Sequence, residues 1–405
     1  GSQYYPAARA FFEGLGLGDT LADNTGINMP LLPQGTSDIA PVWNPEAYFN
    51  TKVVNGSTWP VYEVAPERYR LRFVNASDSR FLNMSLFTLK KNGRKDTELP
   101  FYQIGSDQSL LPQVVQIETG FATPLVAGAP LPKNPSQKVK GTFKDQALLM
   151  GPAERADVIV DFSGLPDGTI VRMFNTAPDA PFGGFPDAPA DPATTGQVMQ
   201  FVIYSGLANP DGDPSTPVNE LGLDANRGGV PPLGVSNATR DLALLEEESA
   251  LLCVTVDAKT GVIDLVPNSL PPLCAGGGVP FGPREAVLGV AGSLGGQVQL
   301  WDDPIAQNPQ VDATETWELW NWSADGHPIH LHLVKFEVVN REIIGGAVRP
   351  AEPWEAGYKD TVIAYPGEVT RVKAKFDIPG LYVLSLIHIS EPTRQYCQSR
   401  MPSSA

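Results

Sequence analysis

The sequence predicts an all-β protein built from sandwich or barrel domains, and three observations support this prediction. Gly and Pro number 39 each in 405 residues and only 18% of residues are charged, which is typical of short strands joined by many turns. Apolar and polar residues alternate in several segments, with the period of a half-buried strand. These segments recur at short intervals, as in sandwiches and barrels. The length exceeds one ordinary domain and suggests two or three.

Residues 1–40 differ in texture from the rest of the chain. Ala7–Leu15 has a helical pattern closed by glycines, and a polar, Pro- and Gly-rich connection follows. We interpret residues 1–40 as an interdomain or insertion segment. The first residues have no Met, basic start or apolar run and are not a signal peptide, so we expect the chain to begin within a longer gene.

A first β-region is predicted over residues 41–205. Asn55-Gly56 is a hairpin turn signal, and Tyr69–Asn75 alternates between apolar and basic residues. Four further strands are predicted, at Phe101–Ile104, Val114–Ile117, Ala156–Phe162 and Val198–Tyr204. Residues 206–235 are rich in Pro, Gly and Asp and predict a linker between domains.

A second β-region is predicted over residues 236–383, with strands at Thr314–Trp322 and Thr370–Phe376. The side chains of Trp317, Trp320 and Trp322 line a pocket or pack in the core, and the core interpretation is favoured.

Three of the chain's four histidines lie within the segment Gly326–Leu333. Side chains alternate between the faces of a strand, so His330 and His332 are expected on one face and His327 on the other. We expect the apolar run Leu331–Val339 to be a buried strand. Imidazole suits copper, zinc, iron and nickel, and a group of three predicts metal binding better than it predicts core packing.

This segment resembles the His-Pro-x-His-Leu-His motif of multicopper oxidases, in the version of bacterial spore-coat laccases and bilirubin oxidases. The resemblance implies that His327 binds type 1 copper, His330 type 2 copper and His332 type 3 copper. Other phrases resemble the structural parts of the family's second and third cupredoxin domains, namely Val54–Gly56, Arg70–Ser77, Gln103–Asp107, Gly151–Val158, Tyr358–Val362 and Pro366–Val369. The resemblance therefore implies two cupredoxin-like Greek-key sandwich or barrel domains, over residues 41–205 and 236–383. The second of these domains is expected to be incomplete at its C-terminus.

The chain departs from the family pattern at both ends. After Val383 the family has His-Cys-His, whereas this chain continues with a string that resembles a translated sequencing adapter. We predict that residues 384–405 are a non-native tail, and we reject His388 and Cys397 as copper ligands. The family's first domain supplies two His-x-His pairs, and none precedes His327 here. We therefore expect a fragment without that domain.

The resemblance implies copper-dependent oxidation of phenolic or similar reductants, coupled to reduction of dioxygen to water. It also implies a monomer located outside the cell, in the periplasm or in a spore coat. This chain retains one ligand for each copper type, so we expect it to be inactive and assign no catalytic residue. The formal charge of −16 argues against nucleic acid or an anionic membrane as a partner. No apolar run is long enough to span a membrane.

Several alternatives remain open. His330, His332 and Glu337 have roughly the spacing of a cupin metal site, although Glu337 lies an odd number of residues from both histidines. A non-enzymatic β-sandwich coat or adhesion protein is the other alternative. Cys253 and Cys274 form a disulfide or remain two buried thiols. A contact of Glu154 or Asp157 with Arg155 or Arg72 would be a structural ion pair rather than a sign of a catalytic acid.

Overall fold

The structure, a computed structural model, confirms an all-β fold. It describes residues 27–28, 48–123, 130–131, 134–138, 143–183, 189–226, 228–256, 263–266, 271, 274–282, 285–292, 295–300, 303–386 and 398–402. The helices in these ranges are single 3-10 turns at Ser205–Leu207, Val218–Glu220 and Pro353–Glu355. None of them has the length or apolar character needed to cross a membrane. The helix expected at Ala7–Leu15 lies outside the described residues.

The first half of the described chain contains seventeen strands, ten of which form two sheets around one hydrophobic core. In chain order they are β1 (Ile27–Asn28), β2 (Val53–Val54), β3 (Ser57–Thr58), β4 (Val61–Val64), β5 (Arg68–Val74), β6 (Leu82–Leu89), β7 (Lys95–Leu99), β8 (Phe101–Gly105), β9 (Leu110–Ile117), β10 (Phe121–Thr123), β11 (Pro130–Leu131), β12 (Asn134–Lys138), β13 (Phe143–Gln146), β14 (Leu148–Met150), β15 (Arg155–Asp161), β16 (Ile170–Asn175) and β17 (Gln197–Ile203). A six-stranded sheet of order β14-β6-β16-β17-β4, with β7 beside β6, packs on a four-stranded sheet of order β5-β15-β8-β9. We call this pair of sheets the first sandwich.

The first sandwich follows its sequence pattern closely. β15 alternates half-buried and buried residues, and its inward side chains Val158 and Val160 have no solvent exposure. Asn55 and Gly56 both have positive φ, 50° and 82°, as a tight hairpin turn between β2 and β3 requires. The strands predicted in this half are therefore confirmed with small shifts of their ends.

The second half of the described chain contains fourteen strands, eleven of which form a second sandwich. They are β18 (Ala238–Glu247), β19 (Cys253–Val256), β20 (Ile263–Leu265), β21 (Val279–Pro280), β22 (Glu285–Gly292), β23 (Gly295–Val298), β24 (Ala313–Asn321), β25 (His327–Leu331), β26 (Phe336–Ile343), β27 (Val348–Pro350), β28 (Thr361–Ala364), β29 (Glu368–Phe376), β30 (Leu381–Leu386) and β31 (Gln398–Pro402). A seven-stranded sheet of order β23-β22-β18-β24-β29-β26-β27 packs on a four-stranded sheet of order β28-β25-β30-β31. Apolar residues of both sheets fill the core between them.

The prediction of one strand over Leu331–Val339 is wrong. β25 ends at Leu331, Leu333 has a φ of 62°, and the chain crosses to the other sheet before β26 begins at Phe336. Leu331 and Phe336 are both buried in the same core although they belong to opposite sheets. Hydrophobic periodicity does not separate one long strand from two strands that face each other across a core, so the break was missed.

The first residues of the predicted tail pack as strand residues. Leu384 and Leu386 of β30 are buried, and Ser385 pairs with His330 of β25. His388 and Cys397 lie outside the described residues.

A small four-stranded sheet of order β1-β20-β19-β21 contains a disulfide between Cys253 and Cys274. Their Cα atoms are 5.8 Å apart, within the usual range for a disulfide. Of the two alternatives for these cysteines, the structure has the disulfide.

Candidate metal centre

His330 and His332 form a pair at the end of β25. Their ring centroids are 4.6 Å apart and the ring planes are inclined by 59°. β25 lies between β28 and β30, and Pro328 occupies its second position, where a missing N–H is tolerated. The shared face predicted for the two imidazoles is observed.

The tautomer of His330 is set by the residue that precedes β28. Nδ1 of His330 lies 2.8 Å from the backbone carbonyl oxygen of Asp360. A carbonyl only accepts hydrogen bonds, so Nδ1 carries the proton and Nε2 keeps a lone pair. A backbone carbonyl behind a histidine is the usual device that orients a metal-binding imidazole.

The Asp360 carboxylate is held by the first sandwich. Nη2 of Arg155 lies 2.5 Å from Oδ2 of Asp360, and the Gln108 amide donates to the same oxygen. Burial opposes ionisation of Asp360, but hydrogen bonds from His330, Arg155 and Gln108 outweigh it and hold its pKa well below the usual range. The carboxylate therefore stays ionised and keeps its place beside His330.

A buried lysine continues this network between the two sandwiches. Nζ of Lys359 lies 3.2 Å from Asp107 and 3.2 Å from Glu154, both in the first sandwich. Burial disfavours the charged amine, but the two carboxylates outweigh it and raise the pKa of Lys359. Both carboxylates form ion pairs, although with partners other than Arg155 and Arg72, because Asp157 pairs with Arg70 and Glu154 with Lys359.

His332 follows the last residue of β25 and is exposed. Partial burial and the proximity of His330 lower its pKa, which favours the neutral imidazole that metals bind.

His327 faces a different environment and is 1% exposed. Its Nε2 lies 2.5 Å from Ser323 Oγ, 3.6 Å from Glu246 and 3.7 Å from Asp325. Burial raises the pKa of Glu246, which shares a hydrogen bond with Asp325. The predicted separation of His327 from the other pair is observed, but the carboxylates around it were not predicted. Asp325 is two residues from His327 in sequence. Glu246 comes from the distant strand β18, and no local sequence pattern indicated that it would lie near His327.

The His327 segment also touches the first sandwich. Gly326 donates its backbone N–H to the Phe182 carbonyl at 2.7 Å, and a Cβ at position 326 would lie 3.3 Å from that oxygen. A larger residue would push the histidine segment away from this contact.

The comparisons with known proteins agree with the histidine motif. The family model described as multicopper oxidase matches residues 289–389, which include all of β25. A laccase of Bacillus stratosphericus is 29% identical over 383 residues, and a laccase of Bacillus subtilis is 28% identical over 382, each alignment covering 90% of this chain. Residues 289–389 thus match the multicopper oxidase family, and 90% of the chain is similar to these laccases. The chain spans 58% and 57% of the length of these two laccases.

Solved multicopper oxidases share the fold of this chain. The McoA multicopper oxidase of Aquifex aeolicus gives a TM-score of 0.53 at 20% identity, covering 90% of this chain and 62% of that one. A multicopper oxidase of Campylobacter jejuni gives 0.54 at 15% identity, covering 88% and 59%. The cupredoxin-like sandwich architecture is thus confirmed.

The match to the multicopper oxidase family implies copper, and the donor atoms on this chain fit copper in part. His330 and His332 supply imidazoles, which suit copper. His327 is surrounded by oxygen atoms rather than sulfur. Within the described ranges the cysteines are Cys253 and Cys274, and their disulfide offers no thiolate. The type 1 ligand set is therefore incomplete in the described part of the chain.

The two alternatives to a multicopper oxidase are not supported. Glu337, the third cupin candidate, lies on β26 in the other sheet, with Oε2 3.2 Å from Lys373 and Oε1 accepting from the Leu233 backbone. It is engaged away from the histidine pair. The family match also argues against a coat or adhesion sandwich with vestigial histidines.

The tryptophans upstream of β25 pack in the core. Trp317 is 1% exposed and stacks on Phe376, and its Nε1 donates to Glu315. Trp320 and Trp322 pack against each other with ring centroids 5.7 Å apart. This agrees with the favoured interpretation of these residues.

Proposed function

We propose that this chain is part of a laccase-like multicopper oxidase that oxidises phenolic or similar reductants and reduces dioxygen to water. In this proposal His330 binds the type 2 copper, His332 a type 3 copper and His327 the type 1 copper. The observation that carries the proposal is the histidine pair, with rings 4.6 Å apart and the proton of His330 fixed on Nδ1. A neutral imidazole oriented through its other nitrogen is the form in which histidine binds copper.

Each group on the chain has a defined part in this proposal. Copper supplies one-electron redox chemistry when bound. The Asp360 carbonyl holds the His330 ring, and Arg155 and Gln108 hold Asp360. Desolvation and the proximity of His330 lower the pKa of His332, which favours the neutral imidazole. The protein's contribution is thus ligand orientation and protonation state.

We further propose that this chain alone binds copper without turning over a phenol. It contains only four histidines, and the described residues offer no thiolate near His327. Electron transfer from a surface reductant to dioxygen needs all copper types together, and this ligand set is too small to hold them.

Equilibrium titration of the purified chain with Cu²⁺ tests this function. We expect binding that is lost in the double variant His330→Ala/His332→Ala and retained in His327→Ala. Equal binding by the wild-type chain and the double variant would contradict the ligand assignment. Oxidation of a phenolic dye by the copper-loaded chain would contradict its inactivity while leaving the ligand assignment intact.

We propose the domain limits 41–205 and 236–383, separated by a linker over 206–235. The sheets of the first sandwich begin at Val61 and end at Ile203, and β18 of the second begins at Ala238, which supports these limits. Limited proteolysis that cleaves first within 206–235 would support the domain limits, and early cleavage within either sandwich would contradict them.

An exported location is supported by the Cys253–Cys274 disulfide, because such bonds persist in oxidising compartments.

A further inference from the structure

A cavity opens into one end of the first sandwich, far in sequence from the histidines. Its volume is about 440 Å³, within the range of small-molecule sites. Four of the chain's six methionines line it. They lie on the neighbouring strands β14, β6, β16 and β17 of one sheet and are Met150, Met84, Met173 and Met199. Flexible thioether side chains adapt to apolar ligands of different shape.

One cation in the lining has no counter-ion. Lys52 is 8% exposed, and its Nζ has no hydrogen-bond partner among the described residues. Leaving a buried ammonium unpaired is costly, so the native structure rarely tolerates it without a reason. Burial and the nearby Arg80 lower the pKa of Lys52 to about 7, which shows how poorly the site alone accommodates the charge.

The other charged groups of the cavity already have partners. Arg80 forms an ion pair with Asp179, donates to the Phe49 carbonyl and lies over the Tyr48 ring. Asp78 accepts a hydrogen bond from Ser79. Lys52 is therefore the cation of this lining whose amine lacks a partner among the described residues, and an anionic ligand would supply that partner.

We propose that this cavity binds a small apolar molecule with a single carboxylate, whose tail contacts the methionines and whose carboxylate pairs with Lys52. A cationic occupant such as Cu⁺ would meet the Lys52 amine and the nearby Arg80 guanidinium, which disfavour it although thioethers alone would suit one. A neutral apolar molecule would fill the cavity but leave Lys52 unpaired. This inference does not depend on the copper proposal.

Nuclear magnetic resonance of isotope-labelled methionine methyl groups tests it directly on the full chain. Titration with octanoate at neutral pH is expected to shift the four lining methyl signals saturably. Octanol, which has the same tail without the charge, is expected to bind roughly tenfold or more weakly, as for loss of a charge-assisted hydrogen bond.

Variants of Lys52 separate specific recognition from simple filling of the cavity. Lys52→Met and Lys52→Gln are expected to weaken octanoate binding roughly tenfold or more and to leave octanol binding unchanged. The matched control Lys91→Met removes an exposed lysine and is expected to change neither. Equal binding of octanoate and octanol, unchanged binding in the Lys52 variants, or no methyl shifts with octanoate would each overturn the proposal. Shifts produced by Cu⁺ but not by octanoate would overturn it in favour of a metal site.

Discussion

Arg155 of the first sandwich and Asp360 of the second are joined by a contact of 2.5 Å between Nη2 and Oδ2. The backbone carbonyl of the same aspartate accepts the hydrogen bond that orients His330. A side chain in one sandwich therefore positions a proposed copper ligand in the other. Asp157, two residues further along β15, pairs with Arg70 within the first sandwich and does not reach the histidines.

Arg155→Met is expected to weaken Cu²⁺ binding by His330 and His332. Loss of groups behind a metal ligand typically costs about 10–100-fold in affinity. Arg70→Met is the matched control, because it removes a bidentate ion pair from the same sheet without touching Asp360. Copper titration of both variants checks the prediction, and an equal effect of the two substitutions would contradict it.

The buried ion pair of Arg341 and Glu355 is expected to stabilise the second sandwich. Arg341 has no exposure, and its guanidinium bonds to Glu355, the Ile363 carbonyl and the Thr370 hydroxyl. Arg341→Met would leave Glu355 buried without its partner and is expected to cost about 3–5 kcal/mol of unfolding free energy.

Urea denaturation followed by tryptophan fluorescence measures this loss. Arg371→Met is the control, because Arg371 bonds to Glu318 and Glu342 at a half-buried surface and an exposed pair contributes about 0–1 kcal/mol. Similar losses from the two arginine variants would be inconsistent with a special role for the buried pair.

Lys52 is expected to make stability depend on pH. Its pKa falls from 10.5 to about 7 on folding, because burial and Arg80 disfavour the charged amine. Between these values the unfolded chain binds more protons than the folded chain, so stability rises with pH. Charged groups near it are Arg80, which is paired with Asp179, and Asp78.

Lys52→Met removes this dependence and is expected to be more stable than the wild type by roughly 2–4 kcal/mol near pH 7. The difference should shrink toward zero as the pH approaches about 10.5, the value for an unfolded lysine. Denaturation midpoints of the two proteins across this range test the sign. A difference that stays constant with pH would mean that folding does not lower the pKa of Lys52.

The Cys253–Cys274 disulfide is expected to stabilise its small sheet. The two cysteines are separated by 21 residues, and closing a loop of that size contributes about 3 kcal/mol on the chain-entropy model. Thermal unfolding with and without a reductant measures the effect, and the variant Cys253→Ser/Cys274→Ser should match the reduced protein. Identical midpoints for oxidised and reduced chains would show that the loop is held by other contacts.

Local sequence pattern predicted the parts of the fold that depend on neighbouring residues. The alternation of Tyr69–Asn75 became β5, and the spacing of His330 and His332 placed both rings together. The turn at Asn55-Gly56 followed from the backbone conformation that these residues favour.

The parts that were missed depend on contacts between distant segments. Nothing near Arg155 in sequence indicates that it meets Asp360, and nothing near Glu246 indicates His327. The break at Leu333 was hidden because both flanking segments are apolar and bury into one core. Local periodicity reports which face is buried, and it does not report what that face meets.

The central claim is that His330 and His332 bind copper, His330 through the Nε2 that its Asp360 contact leaves free. Pulsed electron paramagnetic resonance of the Cu²⁺-loaded chain detects the remote nitrogen of each bound imidazole. The account predicts imidazole coupling that weakens in either His330→Ala or His332→Ala, is lost in the double variant and persists in His327→Ala. A spectrum without imidazole coupling, or one that neither of the first two variants alters, would contradict it.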